Sequence, residues 1–268
     1  MPELAEVEYF RKQWDCGLGD KIISVELHRQ KRIFRGIDVR RLVRLLKGSR
    51  LLSSHARGKQ MLFRFEGDVW LGLHLGMTGK LSVAEARFEP GKHDHLVLRQ
   101  QNHALVFNDM RVFGRILFHV GAAPPGWWTN LPPDLDSKSF TLEGMRQFLD
   151  RHRKLPIKAA LLLQAGFPGV GNWMADEILW RSKLHPRTAS SQLDARQSAR
   201  LWLQVRDVCR KALKKIGHDF SDPPRGWLFH ERWKRNGLCP VHKKALAKGR
   251  IGGRTAVWCP KCQPERGS

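Results

Sequence analysis

Met61-Leu-Phe-Arg-Phe65 and Val69-Trp-Leu-Gly-Leu73 stand on either side of Gly67-Asp68. Two short β-type runs separated by turn residues predict an antiparallel hairpin. The same texture continues in both directions. Ile22-Ile-Ser-Val-Glu-Leu27 lies upstream; Leu96-Val-Leu-Arg99, Ala104-Leu-Val-Phe107 and Ile116-Leu-Phe-His-Val120 lie downstream, with Gln101-Asn102 as a further turn. Strands so spaced imply an antiparallel sandwich or barrel between residues 22 and 120. Residues 34–49 are expected to hold one helix within it. Ahead of it, Leu4, Val7, Phe10 and Trp14 recur at roughly helical spacing, which predicts a short helix after the N-terminus.

Beyond residue 120 the punctuation changes. Gly121-Ala-Ala-Pro-Pro-Gly126 through Pro132-Pro133 has the composition of a linker. Helical patterns follow at Leu142–His152, from Pro156 through Gln164, at Asn172–Lys183 and at Asp194–Ile216, the last with Leu201, Val205, Val208 and Ala212 on one face. Residues 217–226 are expected to be a loop rich in Asp, Pro and Gly. The remainder, to Gln263, is too short to hold a core without a metal. The fold class is thus α+β and multidomain, divided as 1–125, 135–225 and 230–266.

Lys plus Arg number 48 against 25 for Asp plus Glu, a net charge of +23 over 268 residues. The surplus is distributed, with clusters such as Arg29-Gln-Lys-Arg32, Arg151-His-Arg-Lys154 and Lys243 through Arg254. A folded chain with this balance favours a polyanion, nucleic acid first; charge alone leaves an RNA or ribosome binder open. No apolar run of membrane length and no leader pattern is present, which predicts a cytoplasmic protein. Cys16 and Cys209 stand alone and are expected to be buried thiols. Cys239, Cys259 and Cys262 cluster, which points to a metal in a reducing compartment.

The cluster reads Cys239-Pro-Val-His242, then Cys259-Pro-Lys-Cys262. Two ligand pairs, each with two residues between, suit knuckles around one tetrahedral zinc. Four protein donors close the shell, so the ion is expected to be structural. Between the knuckles, Lys248-Gly-Arg-Ile-Gly-Gly-Arg254 suits a hairpin tip, with Arg254 able to bind a phosphate or reach the reaction centre, or to be an exposed finger charge. Gly166-Phe-Pro-Gly-Val-Gly-Asn172 is a glycine-rich turn before a helix, able to hold a phosphate through amides and Asn172, or to be an ordinary interhelical turn. Lys154 and Lys158 bracket the preceding helix start. Arg57-Gly-Lys59 precedes a β-run. Met77, in His74-Leu-Gly-Met77-Thr-Gly79, and Arg111 and Phe113, in Asp109-Met-Arg111-Val-Phe113-Gly114, sit in turns. They suit the gap left by an extruded nucleotide only if these turns share a face; otherwise they are core.

The chain opens Met1-Pro2-Glu3-Leu4-Ala5-Glu6. Pro2 is small enough for Met1 to be removed, which leaves a secondary amine. An α-amino group titrates near ~8, so roughly a tenth is free base at pH 7. Such an amine can attack C1′ of a deoxyribose and open it to an iminium, with Glu3 as proton shuttle. The alternative is a proline that merely starts a helix.

Taken in order, these pieces resemble the formamidopyrimidine-DNA glycosylase and endonuclease VIII family, nearer the first branch. Lys92-His-Asp-His95, Ile157-Lys158, Ala175-Asp-Glu177 and His185-Pro186 add to the match, which spans nearly the whole chain. The resemblance implies a β-sandwich behind an N-terminal helix, a helix–two-turns–helix module and a zinc finger hairpin. It implies a bifunctional DNA glycosylase and AP lyase of base excision repair, acting as a monomer on duplex DNA with oxidised bases or abasic sites. Pro2 would be the Schiff-base nucleophile, Glu3 the acid/base, Glu6 an ordering residue, Lys59 the lysine assisting β-elimination and Arg254 the phosphate ligand assisting δ-elimination. His93, Arg111, Lys154, Lys158 and Asn172 match DNA-contacting positions; Met77, Arg111 and Phe113 match a void-filling trio.

The chain departs from the family pattern at four places. Ala5 replaces a proline, Met110 and Val112 replace Pro and Arg, Trp173-Met174 replace an Ile-Tyr pair, and Gly217-His-Asp-Phe-Ser-Asp-Pro-Pro-Arg225 lacks the Thr-rich start of the lid that caps 8-oxoguanine. The last predicts weak excision of 8-oxoguanine beside good cleavage of abasic sites. The competing reading is a damaged-DNA-binding protein on the same scaffold with impaired catalysis.

Overall fold

The computed structural model describes residues 1–28 and 32–265. Of the basic run at 29–32, only Arg32 lies within the described residues. The chain forms two compact units, one of Met1–Pro2 and Glu6–Leu131, the other of Glu3–Ala5 and the chain from Pro132 on.

The first unit begins with α1 (Leu4–Lys12), whose early residues belong to the second unit, and its next α-helix is α2 (Val39–Leu46). Asp38 caps α2 by accepting from the Arg41 amide at 3.0 Å. Among the described residues, eight strands form two four-stranded antiparallel sheets. One runs β1 (Ser24–Leu27), β6 (Asp94–Arg99), β7 (His103–Asn108), β5 (Lys80–Glu85); the other runs β2 (Leu51–Arg57), β3 (Gln60–Phe65), β4 (Val69–His74), β8 (Arg115–Val120). Phe63, Phe65, Leu71 and Leu73 of one sheet share a buried cluster with Leu96, Leu98, Leu105 and Phe107 of the other, so the sheets pack as a sandwich. The outer faces are covered too. Leu62 and Trp70 pack with Trp127 and Trp128, and Val97 and Val106 with Phe88. Strands covered on both faces read as continuous apolar runs, which is why the central ones were conspicuous.

β2 and β5 carry no comparable apolar run. Both are sheet edges, and β2 holds Ser53, Ser54 and His55 with a register shift after Leu51. Residues 121–133 are more ordered than a linker: Gly126–Thr129 is a short helix, α3, and Trp128 is buried.

The second unit contains α4 (Leu142–Arg151), α5 (Ile157–Leu161), α6 (Asn172–Ser182), α7 (Ala195–Asp219) and α8 (Phe229–Arg232), followed by a hairpin of β9 (Ala247–Ile251) and β10 (Arg254–Trp258). Asp194 caps α7 with a reciprocal bond from Gln197, and Thr141 caps α4. α5 is shorter than the expected Pro156–Gln164 span. α7 is longer than expected: residues 217–219 are helical, and Phe220 ends it in a left-handed conformation (φ 61°). Its apolar face, Leu201, Val205, Val208 and Ala212, joins Ile157, Phe167, Val170, Trp173 and Ile178 in one core, to which Ala5 also belongs.

Among the described residues, no helix is long and apolar enough to cross a membrane. Cys209 is buried as expected; Cys16 is exposed, contrary to expectation, in a 3-10 turn.

Candidate active site and metal centre

In the first unit, topology gathers the expected residues at one end of the sandwich. Gly58 and Lys59 form the β2–β3 turn, and Gln60 pairs with His74, which pairs with Arg115. The β4–β5 link carries Met77 and the β7–β8 link carries Arg111 and Phe113; both links cross from one sheet to the other. His93 directly precedes β6, whose Asp94 pairs with Asn108 at the end of β7.

The two crossing links share a face. Gly76 is so close to the Phe113 main chain that an added Cβ would overlap its carbonyl carbon, and Gly76 has φ 63°. Asp109, fully buried, latches them. Its Oδ1 accepts from Thr78 Oγ1 at 2.7 Å and from the Arg111 amide at 3.2 Å, and its Oδ2 from the Gly114 amide at 2.7 Å. Its amide donates to the His93 carbonyl at 2.9 Å. So held, Met77 is 36% exposed and Phe113 48%, and the Arg111 guanidinium lies 4.9 Å from the Phe113 ring centre. Met110, the departure beside them, is 61% exposed. Val112 adopts φ 56°, strained for a β-branched residue, and packs on the sandwich core.

His74 backs this end. The Gly76 amide donates to its Nδ1 at 3.0 Å, so the neutral ring carries its proton on Nε2. Burial pushes its pKa below the usual range, and the charge of Lys59 pushes the same way. Lys59 itself is half-buried.

In the second unit the central feature is Glu3, only 3% exposed. Its carboxylate accepts from the amides of Gly171 at 3.0 Å, Trp173 at 3.0 Å and Met174 at 3.1 Å. It therefore closes the N-terminus of α6, where the helix dipole and unpaired amides favour an anion. The Leu4 amide adds a bond to the Gly169 carbonyl at 3.0 Å. The glycine-rich turn expected to hold phosphate thus commits its Gly171 amide to Glu3, and the first turn of α6 commits those of Trp173 and Met174. Asn172 opens α6, and its Oδ1 is buried without a protein donor. Pro2, covalently joined to Glu3, is half-buried; Met1 is exposed, and Glu6 lies on α1, half-buried.

Lys154 is exposed in the turn before α5. Lys158 differs from the expected surface cation: it is fully buried, donating to Asp176 Oδ1 at 2.7 Å and to the Asn172 carbonyl at 2.7 Å. Burial pushes its pKa down while Asp176 opposes the shift. Arg232 binds the other Asp176 oxygen at 2.6 Å. Asp176 lay inside a quoted motif without a role, and nothing in the sequence marked Arg232. Arg254 is exposed at the start of β10, next to a Gly252-Gly253 turn with φ of 58° and 75°. Two consecutive positive φ values are what a tight hairpin turn requires.

Cys239, His242, Cys259 and Cys262 converge, all donor atoms lying within 4.8 Å of one another. Cys239 and Cys262 sulfurs are 3.6 Å apart, and His242 presents Nδ1 to Cys262 at 3.0 Å and to Cys239 at 3.8 Å. A tetrahedral ion with Zn–S of about 2.3 Å and Zn–N of about 2.0 Å separates its ligands by roughly 3.5–3.8 Å; the separations here, from 3.0 Å up to 4.8 Å, straddle that range, and thiolate and imidazole donors suit such an ion. The knuckles are tied to the helical core by Gln263, whose side chain accepts from the Cys259 amide at 3.0 Å and donates to the Leu184 carbonyl at 2.8 Å.

A β-sandwich with a latched loop pair, a helical half closed by Glu3 and a Cys/His cluster able to hold a metal define a multidomain α+β protein. Comparison gives it a family. Sequence models of the formamidopyrimidine-DNA glycosylase N-terminal domain and H2TH domain match residues 1–116 and 131–222. The chain is 32% identical to the formamidopyrimidine-DNA glycosylase of Thermomicrobium roseum, over 98% of its own length and 99% of the relative's. The figure is 33% for that of Thermus thermophilus, over 99% of each. Its structure matches one of MutM in complex with carbocyclic 8-oxo-G containing DNA, with TM-score 0.88, 28% identity and coverage of 98% and 100%. It also matches Lactococcus lactis formamidopyrimidine-DNA glycosylase non-covalently bound to an AP site containing DNA, with TM-score 0.86, 28% identity and the same coverage. The chain belongs to the formamidopyrimidine-DNA glycosylase family.

Proposed function

We propose that this DNA glycosylase of base excision repair is bifunctional, removing an oxidised base through a Schiff base on the Pro2 nitrogen and then cutting the strand by β- and δ-elimination. The observation that carries this reading is the anchorage of Glu3 to three amides of α6, which fixes the residue bonded to Pro2.

With Met1 removed, the Pro2 lone pair attacks C1′ of an extruded nucleotide and the base leaves with a proton. Glu3 manages the proton at the opening sugar, and Glu6 orders the approach. The iminium acidifies the C2′ proton; its loss expels the 3′ phosphate, with Lys59 assisting. Arg254 binds phosphate and assists the second elimination. Met77, Arg111 and Phe113 fill the vacated stack, supported by the Asp109 latch that puts their two links on one face. His93, Lys154 and Asn172 contact the backbone; Lys158, buried, acts through the Asn172 turn. One zinc in the finger is structural. The partner is duplex DNA with oxidised bases or abasic sites, bound by a cytoplasmic monomer whose working parts are 1–125, 135–225 and 230–266.

Residues 220–228 separate α7 from α8, where the expected loop spans 217–226. The lack of a Thr-rich start in Gly217-His-Asp-Phe-Ser-Asp-Pro-Pro-Arg225 supports a reduced lid, weak excision of 8-oxoguanine and good cleavage of abasic sites. The test is strand cleavage of three duplexes, carrying an abasic site, a formamidopyrimidine or 8-oxoguanine. Fast cleavage of the first two and slow cleavage of the third is expected. Equal steady-state rates on the two purine lesions would overturn the lesion assignment. Intact strands in all three would leave only a damaged-DNA-binding protein.

A further inference from the structure

Three charged groups outside the reacting set are among the most deeply buried in the protein. Lys158 and Asp176 pair at 2.7 Å with side-chain exposures of 0% and 1%, and Arg232 pairs with Asp176 at 2.6 Å with an exposure of 2%. Two cations share one carboxylate, and the Arg232 Nε has no partner. Apolar residues of similar size commonly stabilise a fold at least as well as such a cluster, so its contribution to stability is a weak explanation for it.

The geometry gives a better one. Lys158 spends a second donor on the Asn172 carbonyl at 2.7 Å. That carbonyl and the Trp173 N–H belong to one peptide plane, and the Trp173 N–H donates to Glu3 Oε1 at 3.0 Å. One peptide therefore has a cation on its oxygen and an anion on its N–H, at opposite ends of its dipole. Each charge polarises the peptide in the same sense, and hydrogen bonds in series strengthen one another. Lys158 is aimed by Asp176, and Asp176 is aimed by Arg232, the last residue of α8 before the metal finger.

We propose that Arg232, Asp176 and Lys158 are positioning residues that set the Glu3 carboxylate through the Asn172–Trp173 peptide, so that the segment leading into the finger governs the chemical step. The proposal rests on the reading of Glu3 as the acid/base beside Pro2. A merely structural cluster would instead lower stability and DNA affinity without selecting that step.

The test is a double-mutant cycle on the full-length, metal-loaded protein. Single-turnover base excision from a formamidopyrimidine duplex is measured beside Kd for a tetrahydrofuran-containing duplex and the melting temperature. Arg232→Met is expected to slow excision about tenfold, a modest loss of transition-state stabilisation, with Kd nearly unchanged. Arg232→Lys, which keeps the charge, is expected to restore most of the rate. Asp176→Asn should repeat the loss and serves if Arg232→Met does not fold. In a Glu3→Gln background, either substitution should add little. A rate unchanged in both variants, a loss shared equally with Kd, or full additivity with Glu3→Gln would overturn the relay while leaving the role of Glu3 intact. Unchanged excision in Glu3→Gln alone would overturn both.

Discussion

The Gly171 amide donates to Glu3 Oε2 at 3.0 Å, and a Cβ placed on Gly171 would overlap the Glu3 carboxyl carbon. The backbone there is extended (φ −124°), so conformational freedom is not what glycine supplies. It supplies room for the carboxylate. Gly171→Ala is therefore expected to displace Glu3 and slow base excision by about tenfold or more, with overpacking lowering stability by about 1–3 kcal/mol. Single-turnover rates and thermal melts check this; an alanine variant with wild-type rate would mean that the carboxylate position is irrelevant.

His74 gives a pH dependence with a definite sign. Its pKa is depressed in the folded state by burial and by Lys59, so the unfolded chain binds its proton first as pH falls. The His74 contribution is present above the unfolded value of about 6.5 and is lost as pH falls through the lower folded one, when protonation of Nδ1 also breaks the Gly76 bond. His74→Gln should flatten the stability difference between pH 7.5 and pH 5 in urea melts compared over roughly that range with the wild type. A variant whose loss of stability with acid is as steep as the wild type's would contradict the assignment.

The finger is expected to carry one zinc. Cys259→Ser should lose the metal and expose the β9–β10 hairpin to protease, because so short a segment has no adequate core of its own. His242→Cys should retain it, since thiolate and imidazole both suit the ion. Elemental analysis of dialysed protein decides; metal retained in full by Cys259→Ser would exclude the four-ligand site.

Phosphate contacts are read by salt. Arg254→Ala and Arg111→Ala should each lower the slope of log Kd against log salt by about 1. Lys158→Met should leave the slope unchanged, because the replaced ammonium is buried against Asp176. A slope lowered equally by Lys158→Met would show that Lys158 reaches DNA after all.

The sandwich was legible because β3, β4, β6 and β7 are covered on both faces and write long apolar runs. The edge strands β2 and β5 were not, since an edge half-exposed to water tolerates Ser53, His55 and Lys80. The Cys239, His242, Cys259 and Cys262 cluster was legible from spacing alone, because its members come from two short knuckles. The chemical end was legible only in part. Glu3 could be named from its neighbour Pro2, but its three amide partners lie about 170 residues away in sequence, and no local pattern reports them. Asp109 and Asp176 looked like ordinary polar residues within motifs. Arg232 gave no signal, because burial of an arginine depends wholly on what folds against it.

The proposed chemistry turns on a covalent bond between the processed N-terminus and sugar carbon. Borohydride reduction during reaction with an abasic duplex, followed by proteolysis and mass spectrometry, tests it directly. A stable adduct is expected, its added mass mapping to a peptide that starts at Pro2, and absent from Pro2→Gly or much reduced there. An adduct mapped to Lys59 or another side chain, or none with protein shown by intact mass to lack Met1, would contradict it.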